Sequence, residues 1–222
     1  MAYSIAIDGP AGAGKSTIAK KIAKDMEYIY VDTGAMYRAM AIYFLDNNID
    51  RKNEEAINKA CESVDINIIY ENGVQQVILN GVNVTGRLRN EEVGIMASTT
   101  SAYKSVREKL VEIQRRLSKG TNIVMDGRDI GTVVLPDATL KIFLTASVEA
   151  RAKRRYDELV EKGEKPVMEN IKEDIITRDY NDTHRDISPL RQADDAVFVD
   201  SSDYSVDEVV EVILTEFEKR KH

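Results

Sequence analysis

The chain has 222 residues, 43% of them hydrophobic, enough for one α/β domain with an insertion and a real core. Its 31 Lys and Arg against 38 Asp and Glu give a formal charge of −7, which argues against nucleic acid as the main partner. Cys61, the lone cysteine, has no internal disulfide partner, and no apolar run approaches membrane-spanning length, so a cytoplasmic protein with no membrane partner is expected.

Ser4 to Asp8 reads as a short buried strand. It runs into Gly9-Pro10-Ala11-Gly12-Ala13-Gly14-Lys15-Ser16-Thr17, which fits the G-x-x-x-x-G-K-[ST] pattern. A helical stretch follows, with Ile18, Ile22 and Met26 on one face, so the loop stands between a strand and a helix as a phosphate site requires. The glycines let backbone N–H groups turn toward phosphate oxygens, the helix presents its positive end, Lys15 reaches the outer phosphates, and the Ser16 hydroxyl suits Mg2+. Tyr28 to Val31 reads as a second strand, and Ala35 to Leu45 as a helix. Ligands of open parallel sheets lie beyond the carboxyl ends of the strands, so Thr33 and Arg38 are candidates to face one; helix capping is the alternative for Thr33.

Asp65 to Tyr70, Val74 to Leu79 and Val82 to Val84 are strand-like, joined by Asn72-Gly73 and Asn80-Gly81, dipeptides that favour tight hairpin turns. This meander interrupts a βα pattern that resumes only at residue 122, so residues 63–97 read as an inserted lobe. Val106, Leu110, Ile113 and Leu117 then mark a helix closed by Gly120. Asn122 to Asp126 is an apolar strand ending in a carboxylate, a candidate to organise Mg2+. Arg128 and Asp129 follow at the strand end, where charges are costly unless they serve a ligand or pair structurally.

Thr139 to Leu144 forms a further strand, and Ser147 caps a helix that carries Arg151, Arg154 and Arg155 on one face. Such crowding of like charge expects an anion; a solvated face paired with Asp157, Glu158 and Glu161 is the alternative. Lys162 to Pro166 breaks the helix, which makes residues 151–168 a candidate lid. A second helix from about Glu169 to Asp186 turns Ile171, Ile175 and Ile176 inward, and Arg178, Asp182 and Arg185 share a face, the carboxylate between two guanidiniums. Ala196 to Asp200 is the fifth main strand; Ser205 to Glu208 forms a capping box for a last helix with Val206, Val210, Ile213 and Phe217 inward. His184 and His222 lie far from any Cys/His array.

Five apolar strands separated by helices call for a doubly wound parallel sheet of P-loop NTPase type, covered on both faces, with the antiparallel lobe inserted and a helical lid. The arginines exceed what one nucleotide needs. Phosphoryl transfer between two anions needs both held in line and the spread charge neutralised.

The segments Gly9 to Thr17, Asp32-Thr33-Gly34-Ala35-Met36-Tyr37-Arg38, Asp126-Gly127-Arg128-Asp129-Ile130-Gly131-Thr132-Val133-Val134 and Arg178-Asp179 through Arg185 resemble those of bacterial cytidylate kinases, and the likeness spans the chain. The resemblance implies one kinase domain over residues 1–222, a monomer, a main sheet ordered 2-3-1-4-5, and residues 63–97 as the monophosphate-binding lobe. It implies transfer of the ATP γ-phosphoryl group to CMP or dCMP with Mg2+. Gly9 to Thr17 and Arg151 then serve ATP; Lys15, Asp126, Arg128, Arg154, Arg155 and Arg185 serve the transfer. Thr33, Arg38 and Arg128 hold the CMP phosphate, Ser98, Arg107 and Asp129 read cytosine, Arg178 and Asp182 hold the sugar, and Arg185 serves phosphates between the nucleotides. Cytosine offers an exocyclic amine as donor and N3 and O2 as acceptors, so a carboxylate with cationic or hydroxyl donors complements it.

A GTPase switch would need Asn-Lys-x-Asp, and Asn58-Lys59-Ala60-Cys61 puts cysteine in place of the carboxylate. A regulatory nucleotide-binding or nucleic-acid module would not need arginines for a second phosphate. Another small-molecule or nucleoside monophosphate kinase is the remaining alternative.

Overall fold

The computed structural model describes residues 2–71 and 74–221; the turn expected at Asn72-Gly73, like Met1 and His222, lies outside the described residues. The elements run β1 (Ser4–Asp8), α1 (Lys15–Asp25), β2 (Ile29–Asp32), α2 (Thr33–Asp46), α3 (Glu54–Glu62), β3 (Ile66–Glu71), β4 (Val74–Leu79) and β5 (Val82–Asn83). They continue with α4 (Glu91–Thr100), α5 (Lys104–Ser118), β6 (Ile123–Gly127), β7 (Leu140–Thr145), α6 (Val148–Glu161), α7 (Met168–His184), β8 (Val197–Asp200) and α8 (Val206–Glu218). The chain divides into two compact units, Met1–Tyr30 with Gly120–His222, and Val31–Lys119.

The five-stranded parallel sheet has the order β2-β6-β1-β7-β8, which is the second, third, first, fourth and fifth of its strands, as the resemblance implied. Ile5, Ala6 and Ile7 are successive and all fully buried, the signature of a strand covered on both faces. In the first unit Ile18 and Ile22 of α1, with Val209, Val210, Ile213 and Phe217 of α8, form one core with Ile5, Ile7, Val124 and Ile142 of the strands. Tyr3 meets Phe217 edge to face at 5.7 Å between ring centroids. Register sets the site: β1 pairs β6 from Ser4↔Ile123 to Asp8↔Gly127, so the segments after Asp8 and after Gly127 leave the sheet side by side.

The second unit holds the three-stranded antiparallel sheet β3-β4-β5. Asn80 and Gly81 both have positive φ (46° and 83°), as the two-residue turn predicted there requires. Val77 and Leu79 of β4 are buried while Val74, on the other face of the same strand, is exposed, so the strand has one packed face and one solvated face, and α2 packs against it.

Several expectations need correcting. Ile176 is 56% exposed because α7 buries the Ile171 and Ile175 stripe against α6, and the next residue is turned about 100° away. Val206 is 41% exposed at the first turn of α8, and Val209 takes its place in the core. Thr33 does not cap α2; Asp32 does, its Oδ1 accepting from Ala35 N at 3.0 Å. Residues 91–100 form α4, so the insertion expected as a strand meander over 63–97 ends in a helix that runs beyond it.

Candidate active site

The phosphate loop is shaped by glycine backbone. Gly9 has φ 153°, and a Cβ there would fall 1.9 Å from the carbonyl oxygen of Leu144 on β7. Gly14, left-handed, stands at the N-cap of α1 without a side chain to cap it, so the first-turn amides suit an anion. Lys15 opens the helix only 6% exposed, its Nζ donating to Pro10 O at 2.7 Å. Burial, and then the nearby positive charge of Arg128, push its pKa down to about 7, against the pull of Asp126, Asp8 and Asp182.

Ser16 Oγ donates to Asp126 Oδ2 at 2.9 Å, and Tyr30 OH donates to Asp126 Oδ1 at 2.7 Å. A hydroxyl beside a buried, oriented carboxylate is a hard-oxygen pair of the kind Mg2+ takes when phosphates and water supply the rest. No cluster of three or more His, Cys, Asp or Glu with metal-holding geometry exists among the described residues, which a site of that kind does not need.

The three arginines of α6 separate by depth. Arg151, 4% exposed, donates from Nε to Ala146 O at 2.9 Å, from Nη1 to Ala11 O at 3.0 Å, and in a fork to both oxygens of Asp179 at 3.0 and 2.7 Å. It thereby braces the phosphate loop at Ala11. Arg154 grips Ser201, Nη2 to its carbonyl oxygen at 2.6 Å. Arg155 is exposed and bound to Glu158 Oε2 at 2.8 Å, the solvated-face pairing weighed above. Lys162 and then Arg155 hold the Glu158 carboxyl below its ordinary range. A cavity of about 630 Å³ opens between the loop backbone, these arginines, and a wall of Ser201, Tyr204 and Val206. Its size suits a nucleotide.

At the end of β6, Arg128 Nε donates to Asp182 Oδ2 at 2.6 Å, and Arg185 Nη1 stands 3.6 Å from Asp182 Oδ1. The carboxylate does lie between two guanidiniums, but these are Arg128 and Arg185; Arg178 is exposed on α7. Arg185 has left the helix (φ −68°, ψ 145°), and its Nε donates to Ser188 O at 2.7 Å. Asp129 is 4% exposed. In the second unit, Thr33 is buried at the start of α2, Arg38 lies exposed one turn on, and Ser98 is exposed on α4. Arg107 of α5, 2% exposed, donates from Nη1 to Ser101 O at 3.1 Å, its guanidinium 5.5 Å from the Tyr37 ring centroid.

The family model described as cytidylate kinase matches residues 5–219. The chain belongs to the cytidylate kinase family. It is 49% identical over 217 residues to the cytidylate kinase of Lactobacillus johnsonii, covering 98% of this chain and 94% of that one. With the cytidylate kinase of Caldicellulosiruptor saccharolyticus it shares 50% over 216 residues, 97% of this chain and 96% of that one. Among solved structures, shikimate kinase from Bacteroides thetaiotaomicron superposes with a TM-score of 0.51 at 12% identity, covering 97% of this chain and 98% of that one, a likeness of fold.

Sequence reasoning missed the wall of Ser201, Tyr204 and Val206 that faces this family member's phosphate loop. Its signal was present: Ser201 follows directly on a parallel strand, where ligands of such sheets gather. It missed Tyr30, which read as a strand residue, and Asp179, whose partner Arg151 stands 28 residues away. Among the described residues no helix is long and apolar enough to cross a membrane.

Proposed function

We propose that the protein transfers the γ-phosphoryl group of ATP to CMP or dCMP, giving ADP and CDP or dCDP. The observation that carries the reading is the phosphate loop with Lys15 buried at the start of α1, Ser16 Oγ on Asp126 Oδ2 at 2.9 Å, and a cavity of about 630 Å³ that the loop shares with Arg151, Arg154 and Arg155. Such an arrangement is stabilised when phosphates stand among them. In the transfer an oxygen of the CMP phosphate forms a bond to the γ-phosphorus as its bond to the β–γ bridging oxygen breaks. No bond to the protein forms.

The loop amides and Lys15 hold the donor, and Arg151 keeps the loop at Ala11 in place. Mg2+, held by Ser16 and Asp126 together with phosphate oxygens, would supply charge neutralisation. Arg154 and Arg155 close on the donor phosphates and exclude water, with residues 151–168 as the lid. Thr33, Arg38 and Arg128 orient the acceptor phosphate, Arg185 serves phosphates between the nucleotides, Arg178 and Asp182 take the sugar, and Ser98, Arg107 and Asp129 read cytosine. The protein acts as a cytoplasmic monomer, the latter open to light scattering.

The test is ADP release with ATP and a panel of acceptors: CMP, dCMP, UMP, AMP, GMP, shikimate and gluconate. CMP and dCMP should lead in kcat/KM. A lead of tenfold or more for any other acceptor would replace the reading with that of another small-molecule kinase.

A further inference from the structure

We propose that Asp8 is a positioning residue: its buried carboxylate holds the turn at Ile130–Val134 and so sets where Arg128 and Asp129 stand with respect to the phosphate loop. The inference rests on the function proposed above and adds to it a residue outside the phosphate-loop and arginine sets.

Asp8 ends β1 directly before Gly9 and is 5% exposed. Its Oδ1 accepts from Ile130 N at 2.8 Å and its Oδ2 from Gly131 N at 2.7 Å. These two amides open a helical turn whose own bonds begin later, with Val133 N to Asp129 O at 2.9 Å, Val134 N to Asp129 O at 3.2 Å and Leu135 N to Ile130 O at 2.7 Å. Opening amides of a helical turn have no acceptor within it, and a side chain at the preceding position ordinarily supplies one. Asp129 occupies that position, yet its side chain makes no capping bond to the turn. The cap comes instead from Asp8, 122 and 123 residues away in sequence.

The fit around the turn is close. A Cβ on Gly131 would lie 3.1 Å from Lys141 Cδ and 3.4 Å from Asp8 Oδ2, so the peptide is clamped between an aliphatic stem and the carboxylate. Lys141 carries its ammonium away from this place, Nζ donating to Asp195 Oδ1 at 2.8 Å. Burial raises the Asp8 pKa to about 6, with the two backbone bonds opposing that rise, Asp129 adding to it and Lys15 reducing it. A strand end that had only to pack would carry an apolar residue here at lower cost. The carboxylate is where the phosphate loop and the Arg128-Asp129 segment are tied together, for β1 and β6 reach the same level at Asp8↔Gly127.

Two variants test this. Asp8→Asn keeps the shape and one acceptor but turns an NH2 toward one of the two N–H groups, so the turn must shift. Gly131→Ala crowds the same turn against the Lys141 stem and the Asp8 carboxylate, with Asp8 intact. Each should raise the KM for CMP about tenfold, the scale of one hydrogen bond to a charged group, and lower the CMP:UMP ratio of kcat/KM, while the KM for ATP stays within about twofold. In the double variant the two effects should not add, because both act through one contact. A purely structural role would lower the melting temperature or kcat without separating the two KM values. If Asp8→Asn does not fold, Gly131→Ala decides alone. An unchanged KM for CMP in a folded Gly131→Ala protein, equal rises in both KM values, or additive effects would each overturn the proposal. Wild-type turnover on the acceptor panel is read first: preference for another acceptor would count against the proposed function, and the KM separation measured with that acceptor would still decide the role of Asp8.

Discussion

Lys15 is 6% exposed and tied to the Pro10 carbonyl of its own loop; Arg155 is exposed on α6 and tied to Glu158 of its own helix. Both are cations candidate for donor phosphates, yet their surroundings differ. The loop stands between Ile7 and Ile18 of the large core of the main sheet, and Lys15 is buried there at a standing electrostatic cost. The α6 and α7 pair has a small cluster of its own, Ala152, Ile171 and Ile175, with Val148, Tyr156, Leu159 and Met168 around it. Its outer arginine is held by a pairing in water that costs little to break. Burial is thus divided unequally between two places: the loop cation is buried beside the large core, and the outer arginine of the hairpin is held by a surface pairing.

The comparison breaks most sharply at Lys15. Lys15→Ala should lower kcat with ATP and CMP by about a thousandfold, with no loss of melting temperature. A kcat within tenfold of wild type would remove Lys15 from the transfer. Its titration gives a second check. The folded pKa is depressed to about 7 from 10.5, so over that window the unfolded chain binds more protons and wild-type stability rises with pH relative to Lys15→Ala. Urea melts of both proteins at pH 7 and 9.5 measure it, and a constant gap would mean that Lys15 is well solvated.

Arg151→Ala comes next. It strips donors from Asp179, Ala11 and Ala146 at a buried site, and the denaturation free energy should fall by about 3 kcal/mol. A loss below about 0.5 kcal/mol would class Arg151 with Arg155 as a solvated arginine. Asp129→Ala should bring the CMP:UMP ratio of kcat/KM down by about 10- to 100-fold, because it removes both the attraction to the cytosine amine and the repulsion of uracil O4. If the ratio survives while both activities fall, base choice lies in the second unit. The smallest effect is expected of Glu158→Gln, which loosens Arg155: stability changes by less than about 0.5 kcal/mol and the KM for ATP falls about twofold. No change in KM there, with none in Arg155→Ala, would leave Arg155 a surface residue.

Much of this was legible where the signal is local. A strand, a glycine loop and an amphipathic helix lie together within the first 26 residues, and the Ser205 capping box needs only four. The order of the main sheet was not readable from periodicity and came from the resemblance, since pattern shows that strands exist and not which are neighbours. α4 carried a usable signal, Val93, Met96, Ala97 and Thr100 at helical spacing on the buried side, masked by the strand-like run before it. The pairings of Arg128 with Asp182 and of Asp8 with Ile130 join residues 54 and 122 apart, and nothing in their sequence surroundings announces them. Arg155 with Glu158, three residues apart, was readable from spacing alone.

Gly9 carries a warning for anyone who would survey the loop by substitution. The Leu144 carbonyl oxygen stands 1.9 Å from where a methyl group at position 9 would project, whereas at Gly14 the nearest atom to such a group is Arg154 Nη1, at 3.9 Å. Alanine at either position should abolish turnover, yet for separate reasons. At position 9 the strand itself is in the way, and the harvest would be insoluble material; at position 14 a recoverable protein with a distorted anion pocket is the expected product. A conservation score that weights the two glycines alike merges a constraint on assembly of the sheet with one on the ligand, and only the yield of folded protein tells them apart.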